Sequence, residues 1–146
     1  MKKIMAIMVA LLVGMTAVAQ NGWVSSYHEP DELKGTEEYF IYLYQDAEYS
    51  AFYRSGNDVF CIGIKNGIFD YDSDESVSVL VGFYKDNTLQ EKMKVAFDCL
   101  STGTSMGIGF GVGQKIIDWL ENGGDIRIIA PRFRRGDMDV TIPHRK

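Results

Sequence analysis

The sequence predicts an all-β fold, an antiparallel β-sandwich with one short helix near the C-terminus. Several short segments carry apolar residues at every second position, which is the spacing of a strand with one buried face. Turn-forming residues separate these segments at intervals of roughly eight to twelve residues, as is typical of small sandwiches. One segment alone has apolar residues at helical spacing.

The N-terminus has the layout of a secretory signal peptide over residues 1–19. A cationic start precedes an apolar run at residues 4–15, and Ala-Val-Ala at 17–19 provides the small residues of a cleavage site. The run is shorter than the roughly 20 residues that span a bilayer, so we expect no membrane span. We expect an exported protein, periplasmic or extracellular, with residues 20–146 forming a single sandwich domain.

The first strands follow from apolar content and turn chemistry. Residues 39–44 form a continuous apolar run with three tyrosines, which we interpret as a strand; a helix over residues 36–45 is the alternative. Residues 59–64 are rich in β-forming side chains. Asn66-Gly67 behind them is a typical two-residue hairpin turn, because both of its positions need positive φ.

The second half of the chain continues the strand pattern and contains the helix. The predicted elements, in order, are a strand at 76–84, a turn at 85–88, a strand at 91–97, a helix around 116–120, and strands at 126–130 and 140–142. Asn122-Gly123-Gly124 predicts a left-handed end to the helix. No repeat or low-complexity linker interrupts the domain.

This order of elements resembles the small exported β-sandwich proteins of the type VI secretion-associated TagO-like and invasion-associated locus B-like kinds. The resemblance rests on the segments Trp23-Val24, Asp31-Glu32-Leu33, IDWLENG at 117–123 and IRI at 126–128. It covers most of the domain and implies a β-sandwich with an accessory or interaction role. It implies no catalytic residues.

Charge is distributed unevenly along the chain. The formal net charge is −5, and loss of the signal peptide would make it −7, yet residues 126–146 carry a net charge of +4. An acidic protein repels phosphate backbones, so we expect no nucleic-acid partner. The partner is expected to be a protein or an envelope component.

Arg132-Phe133-Arg134-Arg135 is the sharpest surface feature. On a strand, Arg132 and Arg134 would share one face while Phe133 turned inward. Guanidinium groups match carboxylate and phosphate geometry, which makes Arg132, Arg134 and Arg135 candidate binding residues. The alternative, which we favour at this point, is that they pair with the acidic body of their own domain.

Two cysteines, Cys61 and Cys99, are present. In an oxidising compartment such a lone pair is more often bridged than reactive, so a Cys61–Cys99 disulfide is expected. It would close a loop of about 39 residues and stabilise the fold by roughly 4 kcal/mol in the chain-entropy model. The alternative is two free thiols that pack as small apolar side chains.

Ser105 lies in Gly103-Thr104-Ser105-Met106-Gly107, which matches the G-x-S-x-G pattern of a serine hydrolase nucleophile. With the acids downstream, His144 even completes the order of a triad. The context argues against catalysis: the motif needs a parallel α/β sheet, and the helix begins some nine residues later. We therefore expect no enzyme, and keep a hydrolase based on Ser105 and His144 as an alternative.

Asp70, Asp72 and Asp74 place oxygen ligands at alternating positions and are candidate Ca²⁺ ligands. The calcium-loop pattern then requires Gly and Glu where this chain has Glu75 and Val81. A solvated acidic turn is favoured, and we expect no metal and no cofactor.

Taken together, these patterns predict an exported, non-enzymatic binding or accessory protein. Besides the hydrolase, a carbohydrate- or envelope-binding module is an alternative, because the eight tyrosines, which all fall between Tyr27 and Tyr84, would suit stacking on sugars.

Overall fold

The computed structural model describes residues 21–146, so the predicted signal peptide at 1–19 lies outside the described residues. This range forms nine strands, one α-helix and a 3₁₀ turn at residues 101–103. The strands are β1 Trp23–His28, β2 Tyr39–Gln45, β3 Tyr49–Arg54, β4 Phe60–Ile64, β5 Ser76–Lys85, β6 Thr88–Leu100, β7 Ser105–Ile108, β8 Asp125–Arg132 and β9 Arg135–Ile142. The helix α1 spans Phe110–Glu121.

All nine strands belong to one sheet with the order β1-β2-β3-β4-β7-β6-β5-β8-β9. Every neighbouring pair is antiparallel. The two ends of the sheet approach each other: Trp23 Nε1 donates a 2.8 Å hydrogen bond to Pro143 O, and the Tyr49 hydroxyl donates one of 2.8 Å to Thr141 O. The sheet thus folds over on itself around one core, which confirms the predicted all-β sandwich with a single short helix.

The core is built from the inward positions of alternating strands. Every second residue is completely buried from Val77 to Phe83 in β5 and from Ile126 to Ala130 in β8, as the period-two pattern predicts. The largest fully buried side chains are Trp23, Phe60, Phe69, Phe83, Phe97, Ile62, Met106, Ile116, Leu120, Ile126, Ile128 and Ile142. No buried side-chain nitrogen or oxygen within residues 21–146 lacks a hydrogen-bond partner.

Helix α1 packs its apolar face on this core through Ile116, Ile117 and Leu120, as predicted. Trp119 fixes its outer side by donating a 2.9 Å hydrogen bond from Nε1 to Tyr84 O. At Gly113, an added Cβ would lie 2.0 Å from Asp58 O, so the helix reaches this position only with glycine. Within residues 21–146, no helix has the length and apolar character needed to cross a membrane.

The hairpin predictions divide into one success and one failure. The 85–88 turn joins β5 to β6, and its central residues Asp86 and Asn87 have φ values of 50° and 63°. Asn66-Gly67 forms a bend but no hairpin, because β4 pairs with β3 and β7 and not with the chain that follows it. Residues 39–45 form a strand, so the alternative helix at 36–45 is wrong.

The C-terminal tail is held by a polar cluster of Tyr53, Glu121 and Arg145. Arg145 Nε donates to the Tyr53 hydroxyl at 2.7 Å, and Arg145 Nη2 lies 2.6 Å from Glu121 Oε2. The Tyr53 hydroxyl in turn donates to the same carboxylate oxygen at 2.8 Å. The Arg145 guanidinium also sits 3.8 Å from the centre of the Tyr42 ring. The tail is therefore joined to both β3 and α1.

This cluster shifts the pKa values of its members. Burial opposes ionisation of Glu121, but hydrogen bonds from Arg145 and Tyr53 outweigh it, so the pKa of the carboxyl is lowered. Burial, followed by the hydrogen bond to Glu121, raises the pKa of Tyr53. At neutral pH the cluster thus contains one carboxylate, one guanidinium and one neutral phenol.

Candidate functional site

Residues 132–135, named the basic turn here, form the hairpin between β8 and β9. Arg132 and Arg135 are paired across the turn, and Phe133 and Arg134 occupy its two central positions. Arg134 has φ of 56°, and Phe133 is 49% exposed. The prediction that Arg132 and Arg134 share a strand face with Phe133 turned inward is therefore wrong, because the chain reverses at these residues.

The basic turn is fixed by its neighbours. Phe133 N donates to Ile68 O at 2.9 Å, and Arg132 Nε donates to Gly136 O at 2.8 Å. The Arg135 side chain lies against Gly67, where an added Cβ would be 3.2 Å from Arg135 Cδ. The Arg134 guanidinium is 5.1 Å from the centre of the Phe133 ring. Hydrogen bonds therefore hold the backbone of the basic turn in place.

None of the three arginines of the basic turn forms an ion pair within residues 21–146. The ion pairs in this range join Lys115 to Glu91, Arg127 to Asp139, His144 to Asp125 and Arg145 to Glu121. The expectation that Arg132, Arg134 and Arg135 neutralise the acidic body through direct pairs is therefore wrong. Three guanidinium groups remain available to an external anion.

The acidic run at Asp70, Asp72 and Asp74 is a hydrogen-bonded turn. Asp72 Oδ1 accepts hydrogen bonds from the backbone N–H groups of Asp74 at 2.9 Å and Ser76 at 3.0 Å. No cluster of three or more His, Cys, Asp or Glu side chains suited to a metal ion occurs in the described part of the chain. The local order of this run thus follows from hydrogen bonds that backbone N–H groups donate to the Asp72 carboxylate.

The predicted disulfide is wrong, since Cys61 and Cys99 are both free. They lie on β4 and β6, which are separated by β7, so their backbones are two strand spacings or about 10 Å apart. A disulfide needs Cα atoms within roughly 7 Å. Cys99 also packs against the core while Cys61 faces outward beside Gly107. Burial raises the pKa of both thiols.

The structure does not join Ser105 and His144 into a triad. Ser105 lies at the start of β7 next to Gly63, within an antiparallel ladder, and not at a strand-to-helix elbow. His144 is bound to Asp125, whose Oδ1 accepts from the His144 backbone N–H and lies 2.9 Å from ring Nδ1. Strands β6 and β5 separate β7 from β8, which carries Asp125. Within residues 21–146, Ser105 and His144 therefore lie on different parts of the sheet and share no hydrogen bond.

An apolar groove of about 280 Å³ lies on the outer face of β2, β3 and β4. Its lining includes Tyr39, Ile41, Phe52, Arg54, Val59 and Cys61. At one end, the Tyr39 ring is stacked between His28, at 4.7 Å, and the Arg54 guanidinium, at 3.7 Å. The unbroken apolar run at 39–44 indicates that both faces of β2 are apolar, but it does not by itself predict a groove.

The same end of the sheet carries exposed apolar side chains. The loop between β1 and β2, the loop between β3 and β4 and the start of α1 all lie there, because these strands are antiparallel neighbours. Leu33 is 97% exposed, Phe110 is 88% exposed and Val59 is 36% exposed. Phe110 also has φ of 54°, a conformation that is uncommon for an aromatic residue.

The β1–β2 and β3–β4 loops at this end carry six acidic side chains, which are named the acidic rim here. They are Glu29, Asp31, Glu32, Glu37, Glu38 and Asp58. The Leu33 tip is ordered by backbone hydrogen bonds of 3.0 Å in both directions between Asp31 and Thr36. Asp31 Oδ1 also accepts from Leu33 N at 3.0 Å. Asp31, Glu32 and Leu33 are therefore held in a hydrogen-bonded turn.

A second, more polar groove of about 440 Å³ crosses the outer face of β5, β8 and β9. The Tyr84 ring lies over Gly82, where an added Cβ would be 2.8 Å from Tyr84 Cε1. Arg127 forms a bidentate ion pair with Asp139, in which Nε donates to Oδ1 at 2.8 Å and Nη2 donates to Oδ2 at 2.6 Å. Its Nη1 is 3.5 Å from the Tyr84 hydroxyl. Asn87 also lines this groove.

Comparisons of the chain with protein-family models, with curated proteins and with solved structures find no match.

Proposed function

We propose that this is an exported, non-enzymatic binding protein, with an accessory role, whose basic turn contacts a carboxylate- or phosphate-bearing group of a protein or envelope partner. The observation that carries this proposal is the set of three guanidinium groups without an ion-pair partner in residues 21–146, displayed on one hydrogen-bonded turn. Guanidinium groups bind both carboxylates and phosphates through bidentate hydrogen bonds.

The rest of the molecule supports a small contact and not a broad polyanion surface. The formal net charge of the chain is −5, so a large anionic surface would be repelled everywhere except near the basic turn. The exposed Phe133 adds an apolar contact between the charges. Aromatic and arginine side chains are the commonest anchors of protein interfaces.

The test measures binding of two defined probes, a poly-glutamate peptide and vesicles of phosphatidylglycerol in phosphatidylcholine. The variant Arg134→Gln/Arg135→Gln should weaken binding to the preferred probe about tenfold, since each lost charge-assisted contact contributes roughly 0.5–1 kcal/mol at an exposed site. Arg132 is left in place because it also bonds Gly136 O. The two probes distinguish carboxylate from phosphate recognition.

The matched control is Lys92→Gln/Lys94→Gln on the exposed part of β6, which removes the same amount of charge elsewhere. It should leave probe binding unchanged. Equal weakening by both variants, or no binding of either probe, would contradict the role of the basic turn. Hydrolysis of ester or peptide substrates that disappears in Ser105→Ala would contradict the non-enzymatic proposal.

Carbohydrate binding is a second candidate function, favoured by the groove at Tyr84. The Tyr84 ring covers Gly82 and lines the groove together with a carboxylate, a guanidinium and the Asn87 amide, a set that offers both stacking and hydroxyl recognition. Tyr84→Ala should abolish any glycan-array signal under this candidate, while Tyr71→Ala, an exposed tyrosine outside the groove, should retain it. A signal that persists in Tyr84→Ala would remove the groove from consideration.

A further inference from the structure

We infer that the apolar groove and its acidic rim form a docking site for the basic turn of a second copy of this chain. This inference rests on the proposed function, because it takes the basic turn as a binding element and names its partner. The two surfaces lie on different elements: the turn joins β8 to β9, and the groove lies on β2, β3 and β4. One surface on each of two molecules therefore makes the contact.

The apolar parts of the two surfaces match in character. Phe133 stands half exposed at the tip of the basic turn, which is unusual for a large aromatic side chain. The groove offers Ile41, Phe52 and Val59 on a solvent-facing side of the sheet. Insertion of Phe133 would remove apolar area of both copies from water, and an aromatic side chain in a pocket is the usual centre of an interface.

The charges of the two surfaces are complementary. The acidic rim has six carboxylates. The same end of the molecule also carries the basic side chains of Lys34 and Arg54, so the carboxylates outnumber the cations there. Glu32 and Glu37 form no ion pair within residues 21–146, and neither does Arg134 or Arg135 of the basic turn. Arg54 is stacked on Tyr39, with its guanidinium 3.7 Å from the ring centre.

Both surfaces are held in place before they meet. Backbone hydrogen bonds at residues 31 and 36 fix the rim loop, and the bond from Phe133 N to Ile68 O fixes the basic turn. Less conformational entropy is lost when such segments associate than when flexible loops do. Because one copy contributes its turn and the other its groove, the contact is heterologous and continues into rings or chains.

Reciprocal charge reversal tests this inference. The turn variant is Arg134→Glu/Arg135→Glu, and the rim variant is Glu32→Lys/Glu37→Lys. The mass of each protein is measured by light scattering after gel filtration, from micromolar to millimolar concentration. The wild-type protein should associate with rising concentration, and each variant alone should associate at least tenfold more weakly, since like charges then face each other.

An equimolar mixture of the two variants should associate again, because each reversed surface now meets an opposite charge. Lys92→Glu/Lys94→Glu, which changes the net charge as much as the turn variant does, should associate like wild type. Val59→Arg, which places a positive charge in the groove, should prevent association even with the rim intact. Rising salt should weaken the wild-type contact.

Several results would overturn the inference. They are a wild-type protein that stays monomeric throughout, a variant mixture that stays monomeric, or a Val59→Arg protein that associates normally. If the wild type stays monomeric while Arg134→Gln/Arg135→Gln still loses its anionic probe, this inference fails and the proposed function stands. If the probe is also unaffected, both fail.

Discussion

Replacement of Arg145 by Met should destabilise the fold substantially, because the arginine joins the C-terminal tail to β3 and α1. Met retains the apolar stem and loses the guanidinium, and with it the hydrogen bonds to Tyr53 at 2.7 Å and Glu121 at 2.6 Å and the contact with the Tyr42 ring. The Glu121 carboxylate then keeps the Tyr53 hydroxyl as its hydrogen-bond donor.

The magnitude follows from these contacts. A hydrogen bond to a charged group contributes about 1.5–3 kcal/mol and a cation–π contact about 0.5–1 kcal/mol. The pair is partly open to water, with side-chain exposures of 13% for Arg145 and 30% for Glu121. Solvent screening therefore lowers the total, and we expect a loss of about 2–3 kcal/mol in the free energy of unfolding.

Urea denaturation followed by tryptophan fluorescence measures this loss. With a urea slope of about 1–3 kcal/mol per molar, the midpoint should fall by roughly 1–2 M while the slope stays unchanged. Arg127→Met is the matched control, because Arg127 forms a two-pronged pair with Asp139 on the open outer face. It should shift the midpoint far less. Equal shifts in the two variants would refute the argument that burial makes the Arg145 cluster important.

The pH dependence gives an independent check. The pKa of Glu121 is lowered in the folded protein, so its ionised form stabilises the fold above its ordinary pKa, and this contribution is lost as pH falls through the lowered value. Wild type should therefore lose stability on acidification by more than Glu121→Gln does. An identical acid profile for the two proteins would show that the carboxylate has no such role.

Other outcomes follow from single positions. Gly113→Ala should cost at least about 3 kcal/mol or prevent folding, because the new Cβ would meet Asp58 O at 2.0 Å, whereas Gly111→Ala on the same helix has open space and should be neutral or slightly stabilising. Thiol titration of the denatured, unreduced protein should find both cysteines reactive. A titration that found no reactive thiol would show that Cys61 and Cys99 are bridged after all. Burial raises the pKa of Tyr49, so the fold should lose stability as pH rises above about 10, and Tyr49→Phe should reduce that alkaline loss, checked by melting temperature against pH.

Local periodicity was enough to predict strand faces and the helix. Val77, Val79 and Val81 alternate with less buried residues, and all three are completely buried in β5. Such a pattern depends on neighbours two positions apart, so it needs no knowledge of the fold. The same holds for the turn at Asp86-Asn87, where the strands that it joins are adjacent in sequence.

Predictions that needed long-range pairing failed. Gly67 adopts the positive φ that its turn chemistry favours, with φ of 86°, yet β4 pairs with β7, which lies some 40 residues further along the chain. The insertion of β7 between β4 and β6 also separates Cys61 from Cys99. Sequence spacing does not show which strand lies between two others in a sheet. Local patterns therefore could not predict the β4–β7 pairing or the separation of the two cysteines.

The candidate surfaces were predictable in part. The charge of residues 132–135 indicated a binding element. The alternation of Arg and Phe, however, is typical of a strand and therefore predicted a strand where the chain forms a turn. Arg134 at φ of 56° is not a residue that turn rules favour. The groove could not be predicted, because apolar residues on both faces of β2 are typical of a strand that is buried on both sides. Within residues 21–146, the sheet order places no strand over the outer face of β2.

The sheet order also explains how one small domain can hold two complementary surfaces. The strands that line the groove and the strands that carry the basic turn lie towards opposite ends of a single nine-stranded sheet. Because that sheet folds over on itself, each half uses its inner face for the shared core and leaves its outer face and hairpins to solvent. Substitutions of exposed side chains in the basic turn or on the acidic rim should therefore change surface chemistry without altering core packing, so that charge reversal tests the proposed association separately from folding.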